Sequence, residues 1–290
     1  MARKVILCIF GVVVMIASYL YFFGSADVVQ VKHDQQMNLK IDRPLELKQA
    51  NPLIDSINQF NRGIASFYCD SLYVQGQVEG RSRAVKLDGM LAYQKPRHFR
   101  LQLDSVVGNE LDIGSDGNVF WFWSKRMKEP GLYWARYEDL GKTRLKTPFN
   151  PYWLSGCLGY EEIDYKDAQI DQNNGKLRVI KTNMSVQNQP VKVVTIIDQN
   201  RRRVVGHGLY DANNTLVASS EIQEFYEGNV PKKVTFVWYK ENAQVIWNFS
   251  RPKVNVGIGN QNWVMPNNRR PIIDLTRDHA GGFELSSSLD

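Results

Sequence analysis

The sequence predicts a mainly β protein of the α+β class, with strands in antiparallel order. Residues 66–256 read as a series of short strands, and apolar residues recur with a period of two in residues 85–93 and 99–103. Turn signals, among them Asp116-Gly117 and Asn174-Gly175, divide this region into short segments. Connections this short join antiparallel neighbours, because a parallel pair needs a crossover of about a dozen residues or more. The expected architecture is therefore a single antiparallel meander.

One amphipathic helix is predicted before the strands. Asn51 and Pro52 fit an N-cap followed by proline at the first helical position. The apolar residues that follow recur at spacings of four and three, which places them on one stripe of a helix of about three to four turns. These residues are Leu53, Ile57, Phe60 and Ile64.

The strands are predicted from alternation and from the turns that separate them. Residues 85–93 and 99–103 form the first clear pair, and in the second of these Arg100 lies opposite the face of Leu101. Further strands are predicted at residues 176–183, 191–198, 203–210, 215–225, 232–239 and 244–249. The interruption at residues 147–159 is rich in Pro, Gly and large apolar residues, which fits a short helix or a lid.

The segment at residues 119–123, VFWFW, places large rings on both faces of one strand. A sheet with one solvated face carries polar residues at every second position, so both faces of this strand must be covered. Two arrangements would explain the rings on both faces. One face could pack in the core while the other forms an aromatic patch at the edge, or one face could line a ligand cavity. Side chains alternate between the two faces of a strand, so Phe120 and Phe122 share one face and Trp121 and Trp123 the other. This alternation does not decide which face lines such a cavity.

The N-terminus predicts export. Arg3 and Lys4 precede an apolar stretch that ends in small residues up to Ala26, as in a secretory signal cleaved after Ala26. The length of the stretch also fits a retained inner-membrane anchor, and both alternatives stay open. We divide the chain into a signal or anchor (1–26), a polar spacer (27–50), one domain (51–266) and a flexible tail (267–290).

The composition argues against several classes of function. The net charge is +6, and the basic residues are scattered rather than gathered on one element, so no nucleic-acid partner is expected. The four histidines show no metal-ligand spacing, and no nucleophile elbow or dinucleotide fingerprint occurs. We therefore expect no metal, no cofactor and no catalytic residue.

Two cysteines follow the N-terminal segment. In an oxidising compartment Cys69 and Cys157 could form a disulfide, or they could be two buried apolar thiols. Cys157 and His207 could also form a thiol–imidazole pair, although no neighbour in sequence lowers the thiol pKa.

Two consecutive segments resemble a known signature. Residues 89–103, GMLAYQKPRHFRLQL, and residues 115–123, SDGNVFWFW, are similar to the LolA/LolB-like outer-membrane lipoprotein carrier superfamily. The likeness extends over most of residues 51–266. It implies an open, strongly curved antiparallel sheet, like an unclosed barrel, with a few helices covering its concave face. It also implies that the protein works in the periplasm.

The resemblance implies roles for individual residues. Lys95 occupies the basic position at the mouth of the cavity, where an ammonium is a point donor. Arg100 is a second candidate for this polar gate. The residues expected to line a hydrophobic cavity are Leu91, Phe99, Leu101, Leu103, Phe120, Phe122 and Phe149.

The function implied is that of a noncatalytic carrier that binds acyl chains and takes part in lipoprotein sorting or transport towards the outer membrane. Its partners would be an acylated lipoprotein or another amphiphilic lipid, with an inner-membrane loading complex and an outer-membrane receiver. Three alternatives remain: a membrane-anchored envelope sensor or interaction module on the same fold, an envelope hydrolase, and an oligomer interface formed by the aromatic strand.

Overall fold

The computed structural model describes residues 39, 43–78, 85–125, 127, 130–143, 156–173, 175–185, 189–239, 242–268 and 271–277. The predicted signal or anchor and residues 147–155, which include Phe149, lie outside this description. Within the described ranges, no helix has both the length and the apolar character needed to cross a bilayer.

The described strands all belong to one sheet. In chain order they are β1 Arg43–Pro44, β2 Ser66–Val78, β3 Val85–Gln94, β4 His98–Ser105, β5 Gly108–Asp116, β6 Val119–Ser124, β7 Leu132–Arg136, β8 Gln169–Asn173, β9 Lys176–Met184, β10 Pro190–Asp198, β11 Arg203–Tyr210, β12 Leu216–Phe225, β13 Pro231–Trp238, β14 Ala243–Phe249, β15 Lys253–Val254 and β16 Ile272–Asp274. An α-helix, α1, spans Leu47–Arg62, and short 3-10 helices span Tyr137–Lys142, Glu227–Asn229 and Asn260–Trp263.

The sheet consists of two antiparallel meanders, β2 to β7 and β8 to β14, that are joined by long-range pairing. Its spatial order is β1-β8-β9-β10-β11-β12-β13-β14-β2-β3-β4-β5-β6-β7-β16, and β15 pairs with β2. Strands β14 and β2 pair antiparallel and connect the two meanders. Strand β16 lies parallel to β7. In the described part of the chain, β1 and β16 end the order without pairing with each other, so the curved sheet is open, as predicted.

The predicted strands and turns are confirmed. Strand β11 has the predicted bounds, β13 is shifted by one residue at both ends, and β9, β10, β12 and β14 differ from prediction by one residue at one end. The Asp116 carboxylate accepts the backbone N–H groups of Asn118 and Val119 at 2.8 and 2.7 Å. Gly117 has a φ of 92°, which an L side chain rarely adopts. Local chemistry thus accounts for the β5–β6 hairpin.

The predicted start of the helix is wrong by about one turn. Helix α1 begins at Leu47, and Pro52 lies inside it. Ala50 is buried with Ile54 and Ile57 against the sheet, so the first turn gains packing that the sequence signal at Asn51 did not reveal. Pro52 lacks an N–H, so one intrahelical hydrogen bond, to the carbonyl oxygen of Lys48, is not formed.

The described structure extends beyond residues 51–266 at both ends. Strand β1 and the first turn of α1 precede residue 51, and β16 follows residue 266. Strand β16 lies in the segment predicted as a flexible tail, and its pairing with β7 brings that segment onto the edge of the sheet.

Candidate functional site

Strands β3 to β7 present a continuous apolar face. We call the face that carries Leu101 the inner face. The strand register aligns its residues in three rows. The first row is Tyr93, Phe99, Ser115, Phe120 and Ala135, the second is Leu91, Leu101, Ile113, Phe122 and Tyr133, and the third is Gly89, Leu103, Leu111 and Ser124.

Six of the seven residues predicted to line a cavity lie together on this face. They are Leu91, Phe99, Leu101, Leu103, Phe120 and Phe122, all of them buried in one cluster. The cluster also takes in Phe236 of β13 and Trp247 of β14. Curvature of the sheet therefore brings both meanders to one apolar interior. The seventh residue, Phe149, is outside the described ranges.

The two faces of the aromatic strand β6 have different neighbours. Phe120 and Phe122 lie on the inner face, where the ring of Phe122 stacks on Tyr133 at 5.3 Å between centroids. Trp121 and Trp123 lie on the outer face and pack with Leu132. Met265 and Ile272, from the C-terminal segment, cover these indoles. Both faces are covered, as predicted, and the chain itself covers the Trp face.

Arg100 is not brought together with the inner face. It is buried on the outer face, where its guanidinium donates to Asp112 at 2.7 Å and to the carbonyl oxygen of Val264 at 2.7 Å. The guanidinium also lies 5.3 Å from the ring centroid of Trp121. Arg100 thus binds the C-terminal segment over the Trp face. The buried guanidinium of Arg100 is paired with the carboxylate of Asp112. Removing either partner would leave an unpaired buried charge and strongly destabilise the folded protein.

The absence of a side chain at Gly114 makes room for this contact. Gly114 lies between Arg100 and Trp121 in the register of β4, β5 and β6. A Cβ atom at Gly114 would be 2.4 Å from the Trp121 ring and 2.9 Å from the Arg100 side chain. The cation–π pair therefore requires glycine at this position.

Lys95 lies at one end of the inner face and contacts the end of α1. Its ammonium donates to the carbonyl oxygen of Asn61 at 2.7 Å, which satisfies a carbonyl of the last helical turn. Burial lowers the pKa of Lys95, while the carboxylates of Glu161 and Glu162 act in the opposite direction. The Tyr93 hydroxyl donates to Glu161. The end of β3, the end of α1 and residues 161–162 therefore form one polar junction.

A turn at residues 156–160 packs into the same interior. Cys157, Leu158 and Tyr160 are buried in the cluster of the inner face. Cys69 and Cys157 are both free thiols, so the predicted alternative of a disulfide between them is not formed in the structure.

The thiol of Cys157 and the imidazole of His207 are both uncharged near neutral pH. His207 and Ser220 are paired residues of β11 and β12, and the turn contacts them through Gly156 and Cys157. Burial raises the pKa of Cys157 and lowers the pKa of His207 to about 4. A nucleophilic cysteine needs the opposite arrangement, a thiolate beside an imidazolium.

Two polar clefts, which the sequence did not predict, lie at the surface of the sheet. One, of about 500 Å³, is bounded by Arg97, Asp116, Asn118, Arg136, Tyr137 and Glu138. The other, of about 390 Å³, lies where β2 bulges, beside Asp70, Asp88 and Asn248. No pattern within one segment marks them, because each combines separate strand ends. The described residues include no group of three His, Cys, Asp or Glu side chains placed to hold a metal ion.

Comparison with known proteins gives matches only at the level of structure. No protein-family model matches the sequence. No curated protein matches it either. Among solved structures, the chain is similar to a LolA superfamily protein from Nitrosomonas europaea, with 10% identity and a TM-score of 0.49, over 74% of this chain and 97% of that one.

Two other solved structures give similar values. A DUF1329 family protein from Desulfovibrio piger is 9% identical, with a TM-score of 0.49, over 75% of this chain and 97% of its own. A putative outer membrane lipoprotein-sorting protein domain from Vibrio parahaemolyticus is 10% identical, with a TM-score of 0.48, over 75% of this chain and 97% of its own.

Proposed function

We propose that this protein is a noncatalytic periplasmic carrier that binds acyl chains against its inner face and takes part in lipoprotein sorting or transport towards the outer membrane. The observation that carries the proposal is the continuous apolar face of β3 to β7, with Leu101 at its centre. Most of its residues are aliphatic or aromatic, and no charged side chain lies within its three rows. Such a face suits a hydrocarbon chain.

The way in which the interior is closed supports reversible binding. In the described structure, the non-sheet residues that pack on the cluster include Ile64, Cys157, Leu158 and Tyr160. The contact of Lys95 with Asn61 and that of Tyr93 with Glu161 join these segments to β3. Moving residues 156–160 would break their hydrogen bonds to the sheet and expose Leu158 and Tyr160, but it would leave the strand ladders intact. Access to the inner face therefore does not require unfolding of the sheet.

The energetics suit a carrier. Each methylene group removed from water contributes about 0.8 kcal/mol, so ten sheltered methylenes contribute roughly 8 kcal/mol before ordering is subtracted. This free energy is enough for the protein to keep an acyl chain bound in aqueous solution, but not to extract the acyl chain from a bilayer unaided. The proposal therefore includes a loading partner at the inner membrane and a receiver at the outer membrane.

The test is native mass spectrometry of the protein purified from membranes in gentle detergent. We expect co-purified diacyl or triacyl species. In the Leu101→Phe variant the added ring occupies space that the acyl chain would fill, so lipid occupancy should fall while the lipid-free protein keeps its melting temperature. The matched control is Ile197→Phe, in the separate cluster under α1, which should lower the melting temperature by overpacking and keep its lipid.

A consistent absence of lipid from the wild-type protein would contradict the proposal. So would a Leu101→Phe variant that loses stability but binds lipid as before, because the inner face would then be an ordinary packed core. Detection of residues 1–26 on the mature protein would favour the alternative of a membrane-anchored sensor or interaction module, and cleavage after Ala26 would favour the carrier.

A further inference from the structure

The 500 Å³ cleft at the end of the sheet lies next to the inner face, and we call it the arginine cleft. The cleft is bounded by the β3–β4 turn, the β5–β6 turn and the residues that follow β7. In the register, Tyr93, Phe99, Phe120 and Ala135 form the last row of the inner face before these turns. The cleft lies beyond this row, at the rim of the sheet, and three of its lining residues, Asp116, Val119 and Arg136, have the register of the outer face.

Tyr137 connects the two regions. It lines the arginine cleft and also packs on the apolar cluster of the inner face. A tyrosine has an apolar ring and a polar hydroxyl, so it suits the boundary between a hydrocarbon environment and a wet one. The polar end of a molecule lying along the inner face would therefore reach the cleft past the Tyr137 ring.

The charges of the cleft suit a phosphate group with a cationic substituent. Arg97 and Arg136 reach it from different strand ends, and a guanidinium offers a planar fork of donors that matches phosphate oxygens. The guanidinium carbon of Arg97 lies 5.8 Å from the centroid of the Tyr137 ring. Glu138, 3.5 Å from Arg136, supplies a carboxylate at the same edge. Two cations and nearby carboxylates complement a zwitterion better than a simple anion.

We propose that the arginine cleft binds the phosphate-bearing headgroup of a phospholipid whose acyl chains lie along the inner face. The proposal rests on the proposed function, because it assigns the polar end of the ligand that the inner face would hold. Arg97 and Arg136 would contact the phosphate, and Glu138 would accept from an ammonium such as that of ethanolamine. The cleft would thereby select phospholipids over uncharged diacylglycerols.

The test is displacement of a bound fluorescent acyl probe by two short-chain lipids with the same chains. Dioctanoyl phosphatidylethanolamine should displace the probe from wild-type protein at about tenfold lower concentration than dioctanoylglycerol. The double variant Arg97→Gln, Arg136→Gln should lose most of this preference and still bind dioctanoylglycerol. Both side chains are exposed, so the fold should be retained.

Two further variants sharpen the result. The double variant Arg201→Gln, Arg202→Gln removes the same charge from an exposed hairpin and should keep the preference. The double variant Arg97→Lys, Arg136→Lys keeps the charge but loses the planar fork, so its preference should be intermediate. Inorganic phosphate should reduce the preference of the wild-type protein without displacing dioctanoylglycerol.

Each contrary outcome has a distinct meaning. If both lipids displace the probe equally from wild-type protein, the headgroup proposal is overturned and the carrier function stands. If inorganic phosphate binds at these arginines but phosphatidylethanolamine has no advantage, the cleft is a free-anion site and the headgroup proposal is again overturned. If neither lipid binds, the proposed function itself fails.

Discussion

His207 and its neighbours show how single polar residues are accommodated near an apolar interior. His207 lies on β11, paired with Thr195 of β10 and with Ser220 of β12. Burial lowers the pKa of the imidazole from 6.5 to about 4, and the backbone of Gly156 acts in the opposite direction. Since burial also raises the pKa of Cys157, the interior contains no charge at this point near neutral pH.

The lowered pKa of His207 predicts a loss of stability in acid. Between about pH 6.5 and pH 4 the unfolded chain binds a proton that the folded protein excludes, so the free energy of unfolding should fall as the pH falls. A shift from 6.5 to about 4 contributes up to about 3 kcal/mol. Urea unfolding at several pH values between 4 and 7 would measure it.

The matched controls for this measurement are two histidine variants. His207→Gln should flatten the dependence on pH, while His98→Gln should preserve it. A His207→Gln protein that keeps the full slope would assign the acid sensitivity to another group.

At the scale of elements, α1 and β3 are joined at their ends. The carbonyl oxygen of Asn61, in the last turn of α1, accepts from the backbone N–H of Ile64 at 3.0 Å and from the ammonium of Lys95 at 2.7 Å. A cation at this end also interacts favourably with the helix dipole. Packing along its length holds the helix to the sheet, and the side chains of Asn58 and Asn61 bind residues 161–163. The Lys95 ammonium joins the end of the helix to the end of β3, which makes Lys95 the candidate gate.

Replacement of Lys95 should weaken this closure. We expect Lys95→Met to lower the free energy of unfolding by about 1 kcal/mol, because one charge-assisted hydrogen bond is lost, and to speed the dissociation of a fluorescent acyl probe severalfold. Stopped-flow displacement of the probe would measure the rate.

Lys48→Met, in the exposed first turn of α1, is the control and should change neither quantity. If Lys95→Met lowers stability but leaves the dissociation rate unchanged, Lys95 acts only as a helix cap and not as a gate.

At the scale of the whole molecule, one curved sheet supplies most of the apolar interior. The β14–β2 pairing places Trp247 and Phe249 in the same cluster as Leu91 and Leu101. A ligand in this interior would contact both meanders. Its binding would therefore stabilise the folded domain as a unit.

Removal of the ligand should lower the stability of the whole domain. A ligand present at a hundred times its Kd adds about 2.7 kcal/mol to the free energy of unfolding, so delipidated protein should melt at a lower temperature and recover when lipid is returned. Differential scanning calorimetry of the two forms would test this. The Leu101→Phe variant should show little change between them, and an equal change in both proteins would place the lipid elsewhere.

The strands and turns could be predicted from sequence because their causes are local. Turn signals on either side delimited residues 203–210, and the Asp116-Gly117 turn has its own hydrogen bonds. The start of α1 was missed because Ala50 is held by packing against distant strands. The arginine cleft was missed because its residues come from three separate strand ends.

By itself the sequence determined the strands between residues 176 and 249 to within one residue at each end, the Asp116-Gly117 turn, and that strand 119–123 must be covered on both faces. Only the tertiary structure decided that Phe120 and Phe122 join Leu101, and that Arg100 instead holds the C-terminal segment over Trp121. The physical reason is that alternation separates the side chains into two sets without telling which set faces inward. When both sets are apolar, that choice depends on contacts between residues far apart in the chain.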